Sequence, residues 1–403
     1  MRKICVSGGR PLSGEISVSG SKNAALPIIF SCILIRGVSE IDNLPDIGDT
    51  RVALDILSSM GAVIRRQGAR VYIDTEHLFY SDSVGGLAGR LRASTYLIGA
   101  CLGRFGRVRI SEFGGCNFSY RPIDMHLDAC RLLGCRVEED EIVGKVQGGE
   151  IYFDKPSVGA TVNAILLGAT ASGKSRVLGV AREPHIDCLI DFLISAGADI
   201  RRIDSGFEIE GRELHGGRIR IIDDMIEAGS YLTLSLMSGG GISLLNCPFS
   251  DMGQVLDAFS RLGAVLDGGR ATIGQPRYAE ITARPYPDFP TDLQPIFAPL
   301  MAYLSGGKIT DEVWRERFGY LEMLREFGVR SRVVGNCALI FPSDFRPASV
   351  VAPDLRGGFA CLLAALCAEG ESEIYSPEII LRGYERICEK LRTIGARIDI
   401  ENI

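Results

Sequence analysis

Histidine is scarce in this chain. Only His77, His126, His185 and His215 occur among 403 residues, and none are paired at a spacing that holds zinc. The 12 cysteines include no C-x-x-C pair and form no regular framework, so they read as reduced thiols, most of them small apolar core residues. No metal site, disulfide scaffold or cofactor is expected. Positive charge is also short: 44 Lys and Arg stand against 50 Asp and Glu, a net charge of -6, which argues against a basic face for nucleic acid. The most apolar early run, Ala24 to Ile35, is too short for a membrane span and meets Arg36. After Met1-Arg2-Lys3, the stretch Val6 to Gly20 reads as glycine-broken strand rather than a secretion signal. A cytoplasmic protein with no membrane or nucleic-acid partner is expected. There is no G-x-S-x-G elbow and no G-x-G-x-x-G after a strand, so hydrolase-triad and dinucleotide readings lack support. Gly168 to Ser175 does fit G-x4-G-K-S, but an apolar helix precedes it and a strand follows. That order is the reverse of a phosphate-cradling loop.

What the chain has in abundance is glycine, 48 residues, and part of it is periodic. A helix ending in a glycine turn and running straight into a strand recurs six times, at Gly61, Gly134, Gly197, Gly263, Gly328 and Gly395. Each glycine is expected just past a helix end in the left-handed conformation. Ahead of each turn a strand gives way to a helix that opens on polar residues: Ser21-Lys22-Asn23, Arg92-Ala93-Ser94, Ser157 to Thr161, Glu227 to Ser230, Thr291 to Gln294, and Asp354 to Gly357. The apolar runs that follow, such as Ala164 to Ala171 or Phe359 to Ala368, have no polar face and predict buried helices. The fold class is therefore α/β: six β-α-β-α-β-β units of roughly 65 residues, three to a lobe, with sheets around central helices. The six helix starts predict an anion-binding cleft, each contributing free N–H groups and a positive dipole end. Lys22, Arg92, Arg121, Arg356 and Arg382 would add fixed charge.

One unit departs from the rest. The distance from Val108 to Gly134 exceeds those from Val177 to Gly197, Ile309 to Gly328 and Ile374 to Gly395. The excess falls in Gly114-Gly115-Cys116-Asn117-Phe118-Ser119-Tyr120-Arg121, between a strand at Val108 to Ser111 and a helix expected to begin at Pro122. Extra length in a constant repeat marks function or mobility. Arg121 could make the Cys116 thiol reactive. On these residues alone, a reactive thiol and an incidental surface cysteine are both open. His126, just beyond the loop, is a better functional candidate than His185, which reads as a surface residue.

Ten stretches carry a resemblance. They are Leu12 to Glu15, Gly20 to Pro27, Leu91 to Ser94, Gly114 to Cys116, Arg121 to Asp124, Ser157 to Thr161, Arg182 to Pro184, Phe289 to Gln294, Asp354 to Arg356, and Arg382 to Glu385. In this order, over nearly the whole chain, they resemble the enolpyruvyl transferases that act on UDP-N-acetylglucosamine, whose fold is a two-lobed inside-out α/β barrel. The resemblance implies transfer of enolpyruvyl from phosphoenolpyruvate to the sugar 3-hydroxyl with release of phosphate, the first committed step of peptidoglycan synthesis, by addition and elimination. It implies Cys116 as general acid and as the thiol alkylated by fosfomycin, and Asp292 as the group that takes or orients the hydroxyl proton. Lys22, Asn23, Arg121 and Arg382 would hold phosphoenolpyruvate, with Lys22 and Arg382 also stabilising charge in the reaction. Arg92, Arg121, Pro122, Ile123, Asp124, Lys155, Ser157, Val158, Gly159, Asp292 and Val313 would hold the nucleotide sugar. Asp354 and Arg356 match a cleft pair. No metal is implied, and a monomer is expected. One lobe is expected at 21–222 and the other at 1–20 plus 223–403, with closure on substrate excluding water.

Three departures stand out: bulky Asn117-Phe118-Ser119-Tyr120 where the family has small residues, Met225 in place of arginine, and Met125 in place of leucine. They leave open a paralogue acting on another nucleotide or on shikimate 3-phosphate, although the shikimate enzymes lack the cysteine. A non-catalytic paralogue is disfavoured because Lys22, Cys116, Asp292 and Arg382 occur together.

Overall fold

The fold is taken from a computed structural model, which describes residues 2–81, 85–110, 122–239 and 241–402. All six turn glycines adopt the left-handed backbone, with φ between 83° at Gly134 and 100° at Gly197. A side chain there would meet a steric penalty that glycine avoids. Each of these residues stops a helix and turns the chain into the next strand.

Two compact units result. One comprises described residues 20–110 and 122–222, the other 2–19 with 223–402. In the first, the helices Lys22–Ser31, Leu97–Phe105 and Val158–Thr170 form the interior. In the second, Met225–Met237, Gln294–Tyr303 and Leu355–Cys367 pack on one another. Residues Ala24–Ser31, Ile226–Met237 and Arg356–Leu366 are buried without a break, as expected of helices with no polar face. Pro27 and Pro299 lie inside two of these helices, at positions the apolar pattern alone did not mark as special. Ser21, Ser157, Asp224 and Asp354 cap four helix starts by accepting from backbone N–H groups one to two residues into the helix.

Among the described residues seven sheets surround these helices, five of four strands, one of three and one of two. The repeat unit is clearest in Glu150–Tyr152, Lys174–Leu178, Gly206–Glu210 and Asp199–Ile203, a parallel pair extended by an antiparallel hairpin. Three sheets borrow a strand. Arg218–Arg220 adds to Val38–Asp42, Ser13–Ser17 adds to Gly241–Leu245, and Arg2–Gly8 fits between Gly370–Tyr375 and Arg397–Asn402. A β-α-β-α-β-β unit read in strict series misses these closures. The three-stranded sheet, Arg107–Arg109 with Glu141–Val143 and Arg136–Val137, belongs to the unit that carries the long loop.

Three local expectations are corrected. The helix after the cysteine loop begins at Asp124, not Pro122, because Ile123 keeps a non-helical backbone and caps it. The fourth central helix begins at Met225, with Asp224 as cap, so Glu227 lies inside its first turn. His185 is buried, in the helix Pro184–Ser195 whose apolar face packs inward. The P-loop look-alike has the reversed order: the helix ends at Thr170 and the strand starts at Lys174. No helix among the described residues is long and apolar enough to cross a membrane.

Candidate active site

Cys116 and Arg121 lie outside the described residues, as do Phe118 and Tyr120. The remaining candidates fall in both units, and each unit is taken in turn.

In the unit of residues 20–222, Lys22 opens its helix directly after the Ser21 cap. Its side chain is mostly buried, and Nζ lies 3.3 Å from Oδ2 of the buried Asp49. A buried ammonium needs such a partner, and the pair holds the cation in place. Asn23 follows it, half-buried. Arg92 opens the short 3-10 helix Arg92–Tyr96 and is half-buried. Pro122, Ile123 and Asp124 form the lead-in to the helix Asp124–Leu132, with Pro122 and Asp124 exposed. Lys155 is exposed. Ser157 caps the helix Val158–Thr170, accepting from the Ala160 N–H at 3.4 Å. That leaves the N–H groups of Val158 and Gly159, which have no partner within the helix, for an anion.

His126 is buried beside this helix start, 5 % exposed. Its Nδ1 is 2.7 Å from Nδ2 of the fully buried Asn163. Burial pushes the imidazole pKa down to about 4; the positive charge of Arg92 adds to this, and Asp124 opposes it. The ring is therefore neutral at physiological pH.

In the other unit, Asp292 sits in the 3-10 turn Thr291–Leu293. Two arginines hold it. Arg317 Nη1 is 2.9 Å from Oδ1, and Arg356 Nη2 and Nε are 3.1 and 3.3 Å from Oδ2. Both arginine side chains are almost fully buried, whereas Asp292 is 29 % exposed. Thr291 bridges to Asp311, donating to Oδ2 at 2.6 Å. Asp311 Oδ1 accepts from the N–H groups of Val313 and Trp314, which fixes the turn that carries Val313. Burial raises the Asp311 pKa, and the hydrogen bond from Thr291 opposes this. Asp354 caps the next helix start through the N–H groups of Arg356 and Gly357. The Arg356 guanidinium also lies over the Tyr384 ring, 5.3 Å from its centroid. Arg382 ends the short helix Glu378–Leu381 and is half-buried.

The structure adds residues that sequence reasoning missed. Asp49 and Arg317 pair with candidate residues but sit in stretches with no distinguishing pattern. A second cluster lies where the chain leaves this unit at Ser19 and returns at Asp223. There the buried Glu227 accepts from Ser19 N–H, Lys390 Nζ and Tyr231 OH at 2.6, 2.8 and 3.0 Å. Its pKa is raised by burial, and Lys390 works against the rise. Met225, at a position where the resemblance has arginine, packs its side chain against the core.

Among the described residues no group of three or more His, Cys, Asp or Glu is placed to hold a metal ion. The arrangement that is present offers capped helix starts, a fixed ammonium and a carboxylate between two buried arginines. In the first unit the capped starts and the ammonium can hold anionic groups, and in the other the two buried arginines fix the carboxylate.

Comparison with known proteins gives the chain's family and relatives. Residues 6–391 match the family of EPSP synthase (3-phosphoshikimate 1-carboxyvinyltransferase). The UDP-N-acetylglucosamine 1-carboxyvinyltransferase of Prosthecochloris aestuarii is 37 % identical, over 100 % of this chain and 99 % of that protein. The enzyme of the same name from Halothermothrix orenii is 38 % identical over 99 % of both. Among solved structures, the enolpyruvyl transferase NikO from Streptomyces tendae superposes with a TM-score of 0.90 at 24 % identity, covering 100 % of this chain and 99 % of that one. EPSP synthase from Acinetobacter baumannii superposes with a TM-score of 0.74 at 16 % identity, with both chains covered in full. These two likenesses speak for the fold.

Proposed function

We propose that this chain, which belongs to the EPSP synthase family of carboxyvinyltransferases, transfers enolpyruvyl from phosphoenolpyruvate to the 3-hydroxyl of UDP-N-acetylglucosamine and releases phosphate. One observation carries the acceptor: the relatives matched end to end at 37 % and 38 % identity bear the name of that reaction. Transfer to a different acceptor is not favoured.

The reaction adds and then eliminates. The sugar hydroxyl oxygen bonds to carbon 2 of phosphoenolpyruvate as its proton leaves toward Asp292, while carbon 3 takes a proton from the general acid, giving a tetrahedral ketal. Loss of a proton from carbon 3 and departure of phosphate then restore the double bond. Cys116 is assigned as the proton donor by resemblance, a role that suits a thiol able to titrate near neutral pH. Lys22, Asn23, Arg121 and Arg382 are assigned to phosphoenolpyruvate. Lys22 is preset for this by Asp49, so little reordering is needed on binding. The start of Val158–Thr170, with Lys155, suits the diphosphate, and Arg92 with Arg121 to Asp124 suits the rest of the nucleotide. Asp292, held by Arg317 and Arg356, is assigned by resemblance to take or orient the proton of the sugar hydroxyl. Val313 is presented by the Asp311 turn.

The test is phosphate release by purified full-length chain. Release should require both phosphoenolpyruvate and UDP-N-acetylglucosamine, and Cys116→Ala should lose most turnover near neutral pH. Release with another nucleotide sugar but not with this one would replace the acceptor. Undiminished turnover in Cys116→Ala would remove the proton donor.

A further inference from the structure

His126 stood out in the sequence, yet no step of the reaction above uses it. Its surroundings fix more than its position. The Asn163 side chain is fully buried and makes four polar contacts. Its Oδ1 accepts from the Gly99 N–H at 2.7 Å, and its Nδ2 donates to the Thr95 carbonyl at 3.0 Å, with the Gly159 carbonyl a longer contact at 3.5 Å. A backbone N–H can only donate and a carbonyl can only accept, so the amide has one orientation. The second N–H of Nδ2 then points at His126 Nδ1, 2.7 Å away. That nitrogen must accept, so the one proton of the neutral ring sits on Nε2.

Nε2 lies at the start of the helix Val158–Thr170. A Cβ built on Gly159 would come within 3.1 Å of Nε2 and 3.0 Å of Cε1. A side chain here would push the ring by a few tenths of an ångström, and glycine leaves it in place. Among the described residues nothing accepts from Nε2, although the ring is 5 % exposed. Three independent features therefore converge: a capped helix start, a glycine that admits the ring, and a buried donor aimed beside it.

We propose that Asn163 holds His126 in its Nε2–H form so that this N–H joins the first N–H groups of the helix Val158–Thr170 in binding the acceptor's diphosphate. The inference rests on the acceptor assigned above. Asn163 is a positioning residue, acting through His126. A neutral donor strengthens the anion site without placing a further buried charge beside Arg92, and the carboxylate facing the ring is Asp124 on its own helix. A hydrogen bond from a neutral donor to a charged phosphate is among the stronger kinds.

With only four histidines in the chain, the tautomer can be read by nitrogen NMR of protein labelled at histidine, His126 being assigned by the signal lost in His126→Gln. The expected spectrum has a proton on Nε2 and no titration between pH 8 and 5.5. Addition of UDP-N-acetylglucosamine should shift that N–H. A proton on Nδ1, or a ring that titrates near its ordinary pKa, overturns the lock. Asn163→Asp, which offers Nδ1 an acceptor, should move the proton to Nδ1. By calorimetry, His126→Phe should weaken binding of the nucleotide sugar about 10- to 100-fold, the range for a hydrogen bond to a charged group, while His126→Gln, which restores an N–H near Nε2, recovers most of the loss. Equal affinity of wild type and His126→Phe overturns the donor role and leaves the reaction standing. Failure of the wild type itself to bind the nucleotide sugar overturns the acceptor assignment, and this inference with it.

Discussion

Replacing Asp292 by Asn takes the counter-charge from two buried guanidiniums at once. Arg317 and Arg356 retain 4 % and 1 % of their side-chain exposure, and each donates to a different oxygen of Asp292. Asparagine keeps the shape but turns an N–H2 toward one arginine. Removing one partner of a buried ion pair costs about 3–5 kcal/mol because the remaining charge cannot return to water. Asp292 is 29 % exposed, so water reaches part of the site, and about 2–4 kcal/mol is the fairer figure. In a unit of this size each kcal/mol moves the melting midpoint by about 2–4 °C. Asp292→Asn is therefore expected to melt about 5–15 °C lower in calorimetry. Turnover, followed by phosphate release, should fall at least about 100-fold, as when a proton-handling group is lost. Pairing Asp292→Asn with Arg317→Met should recover part of the lost stability, since one stranded charge is then gone. A midpoint within about 2 °C of wild type for Asp292→Asn would refute the claim that the arginines depend on this carboxylate.

Two further predictions follow from the first unit. The His126 pKa is about 4 in the folded protein against 6.5 for the free side chain, so between those values the unfolded chain binds more protons. Stability is then present above pH 6.5 and lost as pH falls toward 4, by about 2 kcal/mol between pH 7 and pH 5 from this group. Urea unfolding at the two pH values checks it, with His126→Gln expected to flatten the difference; an equal slope in that variant removes the assignment. Asp49→Asn should leave Lys22 without its charged partner and raise the KM for phosphoenolpyruvate about 3- to 10-fold, the scale of a partly buried ion pair. An unchanged KM would mean that Lys22 needs no such support.

What could be read from the sequence was what local chemistry dictates. The six glycine turns were legible because a left-handed helix stop demands glycine, and the central helices because no polar face interrupts them. Lys22, Asp292 and Arg356 were legible because each stands at a helix or 3-10 start. Their partners were not. Asp49 is 27 residues from Lys22, Arg317 is 25 from Asp292, and Asn163 is 37 from His126. None of these separations leaves a periodic trace. The return of residues 1–20 to the second unit was implied by resemblance, but the Arg218–Arg220 closure was missed for a related reason: it spans 3 residues, too few for alternation to register, and its partner Val38–Asp42 lies far back in the chain.

Met225 poses the sharpest question about acceptor choice, and the structure gives a physical answer for its local part. The side chain stands in the first turn of Met225–Met237, where the dipole disfavours a cation. Loss of an arginine here relieves that repulsion and lets the thioether pack on the core. The cap does not depend on it, because Asp224 takes the Ile226 and Glu227 N–H groups through its own oxygen at 2.8 and 3.1 Å. Nor does the buried Glu227, whose positive partner is Lys390 at 2.8 Å. The helix start thus keeps its geometry with methionine in place. Any effect of the exchange on the acceptor must come from the missing charge itself, not from a displaced helix.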